Sequence, residues 1–336
     1  MKKFLLMTFL IFAVSFQISY AKQELIEASG NYIMDLKADE TFATATARAR
    51  EEAKRAATEK AGVYLQAYSK TVNLELDYDE VQTVAASLLK IQDEKVDSKS
   101  LDNGLLEVIV TIKALVEEQD EETLKNIMSD EQRIKDATDR YKKLQAEYDE
   151  LKNQMEQLKQ NYRAADDSQK AEIKKSIAQN NKYFEAFLAL EEGNNAYFST
   201  NYQQAISDYS RAININPNFA EAYNNRGNAN VMTKNFQQAT QDYQNALRLN
   251  RVDARIYNNL GSVYYMLKDY NSAVREYTNS INLNPNFETA YVNRAYAYYY
   301  LEQFQNALSD SKIVLKLNPA NEDAKKLYNY LIKKVQ

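Results

Sequence analysis

Apolar residues recur with different periods in different stretches of this chain, and the changes of period divide it. Residues 22–117 mix two of them. The runs Tyr32-Ile33-Met34-Asp35-Leu36, Thr71-Val72-Asn73-Leu74-Glu75-Leu76 and Leu105-Leu106-Glu107-Val108-Ile109-Val110-Thr111-Ile112 read as strands, the last two with alternating faces. Between the first two lies a long helix in which Ala45, Ala49, Ala53, Ala56, Ala57 and Ala61 recur at three or four residues. So narrow a stripe lets a helix lie close to a sheet. A second helix is expected from about Asp79 to Leu89, and Asp102-Asn103-Gly104 makes a hairpin turn into the long last strand. The order β, α, β, α, β, β describes a small α+β domain.

From Ile127 to Ala165 the period becomes a heptad. Ile127, Ile134, Tyr141, Tyr148, Met155 and Tyr162 hold one seam position, and Ala137, Leu144, Leu151, Leu158 and Ala165 the other. Asp166-Asp167-Ser168 then supplies caps for a second helix carrying Ile173, Ile177, Phe184 and Phe187 on one face. Two arrangements fit: a coiled coil that self-associates through 127–165, and an antiparallel hairpin within one chain. Three tyrosines at the first seam position suit a tight parallel dimer poorly.

The rest of the chain repeats every 34 residues. All three prolines (Pro217, Pro285, Pro319) and half of the glycines (Gly193, Gly227, Gly261) fall on that register. It also aligns Ala205, Ala239, Ala273 and Ala307, then Tyr202, Phe236, Tyr270 and Phe304, then Tyr209, Tyr243, Tyr277 and Ser311. The units are 186–219, 220–253, 254–287 and 288–321, each two antiparallel helices, A and B, too small to bury an apolar face alone. Small residues at unit positions 8 and 20 let helix A meet helix B closely, and the proline at 32 ends helix B. Repeat 2 has Arg251 for proline, repeat 4 has Ala295 for glycine, and in repeat 1 Ala196-Tyr197 suggests an inner helix one residue out of phase. Residues 322–336 read as a capping helix with Ala324, Leu327, Tyr330 and Leu331 inward. On these residues the array resembles the tetratricopeptide repeat family, which implies an all-α solenoid that binds protein or peptide partners. The whole chain is therefore multidomain: an α+β module over 22–117, a helical spacer over 118–185, and the repeat array with its cap.

The run Ala47-Arg48-Ala49-Arg50-Glu51-Glu52-Ala53-Lys54-Arg55-Ala56-Ala57, followed by Ala61-Gly62-Val63-Tyr64 and the closing alternating strand, is similar to the N-terminal domain of flagellar assembly protein T and of related small envelope lipoproteins. That resemblance implies an envelope association module without catalysis. Lys2 and Lys3 before the apolar run Phe4–Phe16, with small residues at Ser19 and Ala21, read as a secretory signal over 1–21, too short to span a bilayer. Export to the periplasm or outside the cell, with cleavage near Ala21, is the expectation.

Composition narrows the chemistry. The chain contains no cysteine and no histidine, which excludes disulfides, thiolate metal sites, a lipid-modified cysteine and the commonest general base. A net charge of −5 with no basic stretch argues against nucleic acid as a partner. No cofactor, metal or catalytic residue is expected. Asp77, Asp79 and Glu80 lie close together, but a helix cap explains them and the glycine of a calcium loop is missing.

Helix-A positions 2, 5, 9, 12 and 13 share one face and would line the concave groove. They offer Asn224, Asn228 and Val231 in repeat 2, Arg255, Asn258, Ser262 and Tyr265 in repeat 3, and Val292, Tyr296 and Tyr299 in repeat 4. Asparagine can pair with the backbone of an extended peptide through both donor and acceptor, and tyrosine gives rigid area with a polar tip. The chain holds 26 tyrosines, so their abundance here also follows from composition. For the tetratricopeptide domains that clamp a terminal carboxylate the resemblance implies lysines on the first inner helix; here only Asn225 or Asn259 and Arg255 could serve, and Leu190 stands where a clamp lysine belongs. Arg226 and Arg294 at position 7, with Asp208, Asp242, Glu276 and Asp310 at position 23, read as inter-helix ion pairs. On that reading, losing Asp242 or Asp208 costs more than Arg226→Met. The rival to a peptide-binding scaffold is an oligomeric component of an envelope assembly, held together by its coil.

Overall fold

The computed structural model describes residues 25–71, 76–101, 104–116 and 131–335, which fall into two compact units divided between Lys143 and Leu144, with Lys37–Glu40 in the second. The signal segment, Ile127, and most of the strand expected over 71–76 lie outside the described residues, as do Asp102 and Asn103 of the hairpin turn.

The first unit contains β1 (Leu25–Asp35), α1 (Phe42–Thr71), α2 (Tyr78–Leu88), β2 (Leu89–Leu101) and β3 (Leu105–Val116). Its sheet is antiparallel throughout, in the order β1-β3-β2. The strongly alternating β3 is central, and Val108, Val110, Ile112 and Ala114 are buried from it. Ala45, Ala49, Ala53 and Ala57 of α1 pack on the same core. The approach is close enough that a Cβ on Gly30 would lie 2.2 Å from the Ala49 carbonyl. The opposite face is polar, with Ser29 hydrogen-bonded to Thr111 at 2.8 Å and Asn31 to Glu107 at 3.0 Å. At the ends of the expected strand 71–76, Thr71 closes α1 and Leu76 belongs to no strand. Asp77 is a helix cap, accepting from the Glu80 amide while Glu80 reaches back to the Asp77 amide.

In the second unit α3 (Glu131–Ala164), from Leu144 onward, lies antiparallel to α4 (Asp167–Phe198). Tyr148 meets Phe184 and Phe187 at ring distances of 5.9 and 5.8 Å, and the Asn180 side-chain amide donates to the Leu151 carbonyl at 3.1 Å. Further along, Lys174 sits 5.9 Å over the Tyr162 ring. Tyr148, Leu151, Met155 and Tyr162 are buried. This is the hairpin of the two sequence alternatives. Asp166 caps α4, and the Gln169 and Ser168 groups that donate to it hold its carboxyl below the usual range.

The C-terminal part of α4, from 186, is helix A of repeat 1. Seven more helices complete four A/B pairs: α5 (Tyr202–Ile215), α6 (Ala220–Met232), α7 (Phe236–Leu249), α8 (Ala254–Met266), α9 (Tyr270–Leu283), α10 (Glu288–Tyr300) and α11 (Phe304–Leu317). The cap α12 (Glu322–Val335) buries Ala324, Leu327 and Leu331 beside Ala295, Ala307, Leu308 and Val314. Between A and B every repeat turns on a left-handed residue: Thr200, Lys234, Lys268 and Glu302, with φ of 60°, 61°, 62° and 59°. Each donates its N–H three residues back, and the residue after it donates five back, the double bond of a Schellman end. Between B and the next A, Asn216, Asn250, Asn284 and Asn318 each accept from the amide two residues on. This side-chain turn is present in repeat 2 as well, which is why Arg251 can replace proline.

Candidate functional site

The inner surface is built from the A–B contact outward. A Cβ on Gly193, Gly227 or Gly261 would lie 2.5, 2.7 or 2.8 Å from the ring of Tyr209, Tyr243 or Tyr277. The missing side chain at position 8 is thus the seat of the position-24 ring. Repeat 4 carries Ala295 at the seat and Ser311 at the ring position, so the extra methyl comes with a lost ring. Each buried ring then sends its hydroxyl to the residue after the seat: Tyr209 to Asn194 at 2.9 Å, Tyr243 to Asn228 at 2.7 Å, and Tyr277 to Ser262 at 3.2 Å. The offset is the same in all three, so repeat 1 is in phase after all. Burial pushes the Tyr243 phenol far up and the Tyr277 phenol up to about 12.

Position 9 is therefore oriented from behind by a tyrosine. It is also bound from the side, because the Asn225 amide donates to Asn194 at 3.0 Å and Asn259 donates to Asn228 at 3.2 Å and Asn224 at 3.3 Å. Asn293 donates to Asn258 at 3.0 Å, and Asn224 donates to Asn225 at 3.1 Å. Successive A helices are laced together by asparagines.

The structure brings the predicted site residues to one face but changes their roles. Asn224, Asn228 and Asn258 are connectors between repeats, and Asn258 is buried. Ser262 donates to the Asn258 carbonyl at 3.0 Å while accepting from Tyr277. Arg255 pairs with Asp253 of its own helix cap, with Nη2–Oδ2 at 2.7 Å, while its side chain stays 47% exposed. Tyr265 lies edge-on to Tyr270 at 5.5 Å, and Tyr299 to Tyr330 at 5.7 Å. Burial raises the Tyr265 and Tyr296 phenols, whereas a hydrogen bond with Tyr330 raises that of Tyr299. Tyr296 is half-buried on the same face. Sequence reasoning weighed Asn225 and Asn259 of position 6 only for a carboxylate clamp and left out Asn293; the signal for their lacing role was an asparagine at that position in three successive repeats.

The arginines do form inter-helix ion pairs. Arg226 donates Nη2 to Asp242 at 2.6 Å and Nη1 to Ser210 at 3.0 Å, and two repeats on Arg294 donates to Asp310 at 2.8 Å and to Thr278 at 3.0 Å. Asp208 and Glu276 are not their partners. Asp208 accepts from Gln204 at 3.1 Å, and Glu276 from Arg275 at 2.9 Å.

A solenoid of two-helix repeats with a laced, nearly uncharged inner face is the class of protein that these features define. The chain carries tetratricopeptide repeats: residues 195–234 and 233–268 match the family model described as TPR repeat, and 254–287 the one described as tetratricopeptide repeat. Among solved structures it is similar to the first TPR of Spaghetti (RPAP3) bound to an HSP90 peptide, at 22% identity and a TM-score of 0.34 over 34% of this chain and 92% of that one. The Arabidopsis OM64 TPR domain is 27% identical with a TM-score of 0.34, over 34% and 95% of the two chains. YrrB, described as a TPR protein with an unusual peptide-binding site, is 21% identical with a TM-score of 0.42, over 48% and 81%. No curated protein matches the sequence.

Proposed function

We propose that the chain is an exported, non-enzymatic scaffold whose inner tetratricopeptide face binds a protein or peptide partner in the cell envelope. The observation that carries this reading is the inner face itself. Its side chains are fixed from behind by tyrosine hydroxyls and from the side by asparagines, so the surface is pre-organised and a partner orders little on docking. The burial of Tyr148, Leu151, Met155 and Tyr162 of the α3 seam favours the scaffold over an assembly held by a coil. Envelope location rests on the Met1–Ala21 segment and on the likeness of the α+β module to envelope domains.

The test is photo-crosslinking in envelope extract, with a photoreactive side chain at Tyr296 on the inner face or at Gln241 on helix B of repeat 2. A partner joined from 296 and not from 241 is the expected result. Crosslinking from 241 alone would move the binding surface off the groove. Light scattering should find the mature chain monomeric.

A further inference from the structure

Position 13 of helix A is a large apolar residue in every repeat, and in every repeat it is about half exposed: Phe198 53%, Met232 49%, Met266 48% and Tyr300 52%. Scattered exposed apolar side chains are ordinary on a protein surface. One at the same register position of four stacked units is not scattered, because the stacking sets them in a line. At its C-terminal end the line is continuous with further rings, since Tyr300 stacks on Tyr270 at 4.9 Å and meets Tyr265 edge-on at 5.7 Å.

On helix A itself the chemistry beside the line is uncharged, while Lys334 and Asp323 of the cap act on Tyr299 and Tyr296 at its C-terminal end. Helix-A positions 5, 9, 12 and 13 carry only Leu, Val, Phe, Met, Tyr, Asn and Ser in all four repeats. Along helix A a charged segment would lose water and find no counter-charge on those positions, a cost that an uncharged segment avoids. The spacing selects the conformation. Successive A helices touch through their asparagines, so their axes lie about 8–10 Å apart. A β-extended segment returns a side chain to the same face about every 6.7 Å, out of step with the repeats. A polyproline II segment returns one every third residue, about 9.3 Å, in step with them.

We propose that the position-13 line anchors an uncharged polyproline II segment bearing an apolar side chain at every third residue. The proposal rests on the groove reading above and gives its partner a chemical class. Asparagine and tyrosine polar groups beside the line would meet the carbonyls that such a segment leaves unpaired.

The probe is a synthetic peptide of four Leu-Pro-Gln triplets with blocked ends, titrated against the full chain by fluorescence anisotropy. Its comparators are a permuted peptide with leucines at alternate positions, an amphipathic helical peptide with leucines seven apart, and a peptide ending in acidic residues. The triplet peptide should bind at least about tenfold more tightly than any comparator, with little dependence on salt. Met232→Ser together with Met266→Ser should weaken it by roughly a hundredfold, from about tenfold per buried methionine side chain, with unchanged circular dichroism because both side chains are half exposed. No binding of the triplets, preference for the helical or acidic peptide, or indifference to the double variant would overturn the proposal. An envelope partner that still crosslinks from position 296 in the double variant with undiminished yield would sink this inference while leaving the groove reading intact.

Discussion

Arg226 and Asp242 are unequal partners, and the inequality predicts which half of the pair is costly to lose. The Asp242 side chain is 2% exposed and that of Arg226 21%. Arg226→Met leaves a buried carboxylate with Asn230, at 3.0 Å, as its donor. Stranding one member of a buried pair costs about 3–5 kcal/mol. Asp242→Ala strands a guanidinium that still reaches water, keeps Ser210, and lies 5.6 Å over the Tyr223 ring. Solvent contact discounts that loss to about 1–3 kcal/mol. The order is the reverse of the sequence-based expectation that losing the carboxylate is worse. Arg226→Met combined with Asp242→Leu should return to within about 1 kcal/mol of the parent, since an apolar replacement of both members leaves nothing stranded. Urea unfolding followed by far-UV circular dichroism at neutral pH measures all four proteins. The pair Arg294–Asp310 is an internal replicate with closer exposures, 15% and 5%, so the same order should appear there with a smaller gap. An Asp242→Ala protein less stable than Arg226→Met, or a double variant as unstable as the two losses added, would refute the reasoning.

Gly227→Ala should destabilise by about 1–2 kcal/mol in the same assay although alanine is the better helix former, because its methyl would stand 2.7 Å from the buried Tyr243 ring; an unchanged midpoint counts against the seat. Lys234→Gly should raise stability by up to about 1 kcal/mol, since φ of 61° costs a side-chain-bearing residue more than glycine, and a loss on urea unfolding would show that Lys234 makes contacts outweighing the strain. Tyr277 titrates near 10 unfolded and about 12 folded, so the unfolded state sheds its proton first; its contribution, roughly 2–3 kcal/mol, is complete below pH 10 and disappears as pH rises from 10 to 12. Tyr277→Phe should flatten that part of the alkaline limb, and a stability–pH curve of unchanged shape would exclude this phenol as its source.

The 34-residue period was legible because each repeat reuses the same solutions to the same contacts. Glycine at the ring seat, alanine at the A–B crossing and asparagine at the B–A turn are dictated by a single close approach each, and such positions tolerate few residue types. The alanine stripe of α1 was readable for the same reason. By contrast β2, Leu-Lys-Ile-Gln-Asp-Glu-Lys-Val-Asp-Ser-Lys-Ser-Leu, carries little apolar alternation. It is an edge strand exposed along most of its length, where charge protects against further pairing and erases the pattern that marks a buried strand.

The site was legible as a face but not as a set of roles, because helical periodicity says which way a side chain points and not what it meets. Asn228 and Asn258 were read as free to pair with a ligand backbone, yet each accepts from the asparagine at position 6 of the next repeat. That partner sits 31 residues away in one case and 35 in the other, beyond any helical offset. Their engagement has a functional consequence. An Asn258 carbonyl taken by a ligand must be shared with or released by Asn293, and the seam between repeats 3 and 4 would loosen or tighten accordingly. Binding through the asparagines is thereby linked to the stacking of the array, and so is binding through Tyr300, which stacks on Tyr270 of the preceding repeat, whereas Met232 and Met266 stand half exposed. A partner that grips Met232 and Met266 can therefore be bound and released with less strain on the solenoid that presents it.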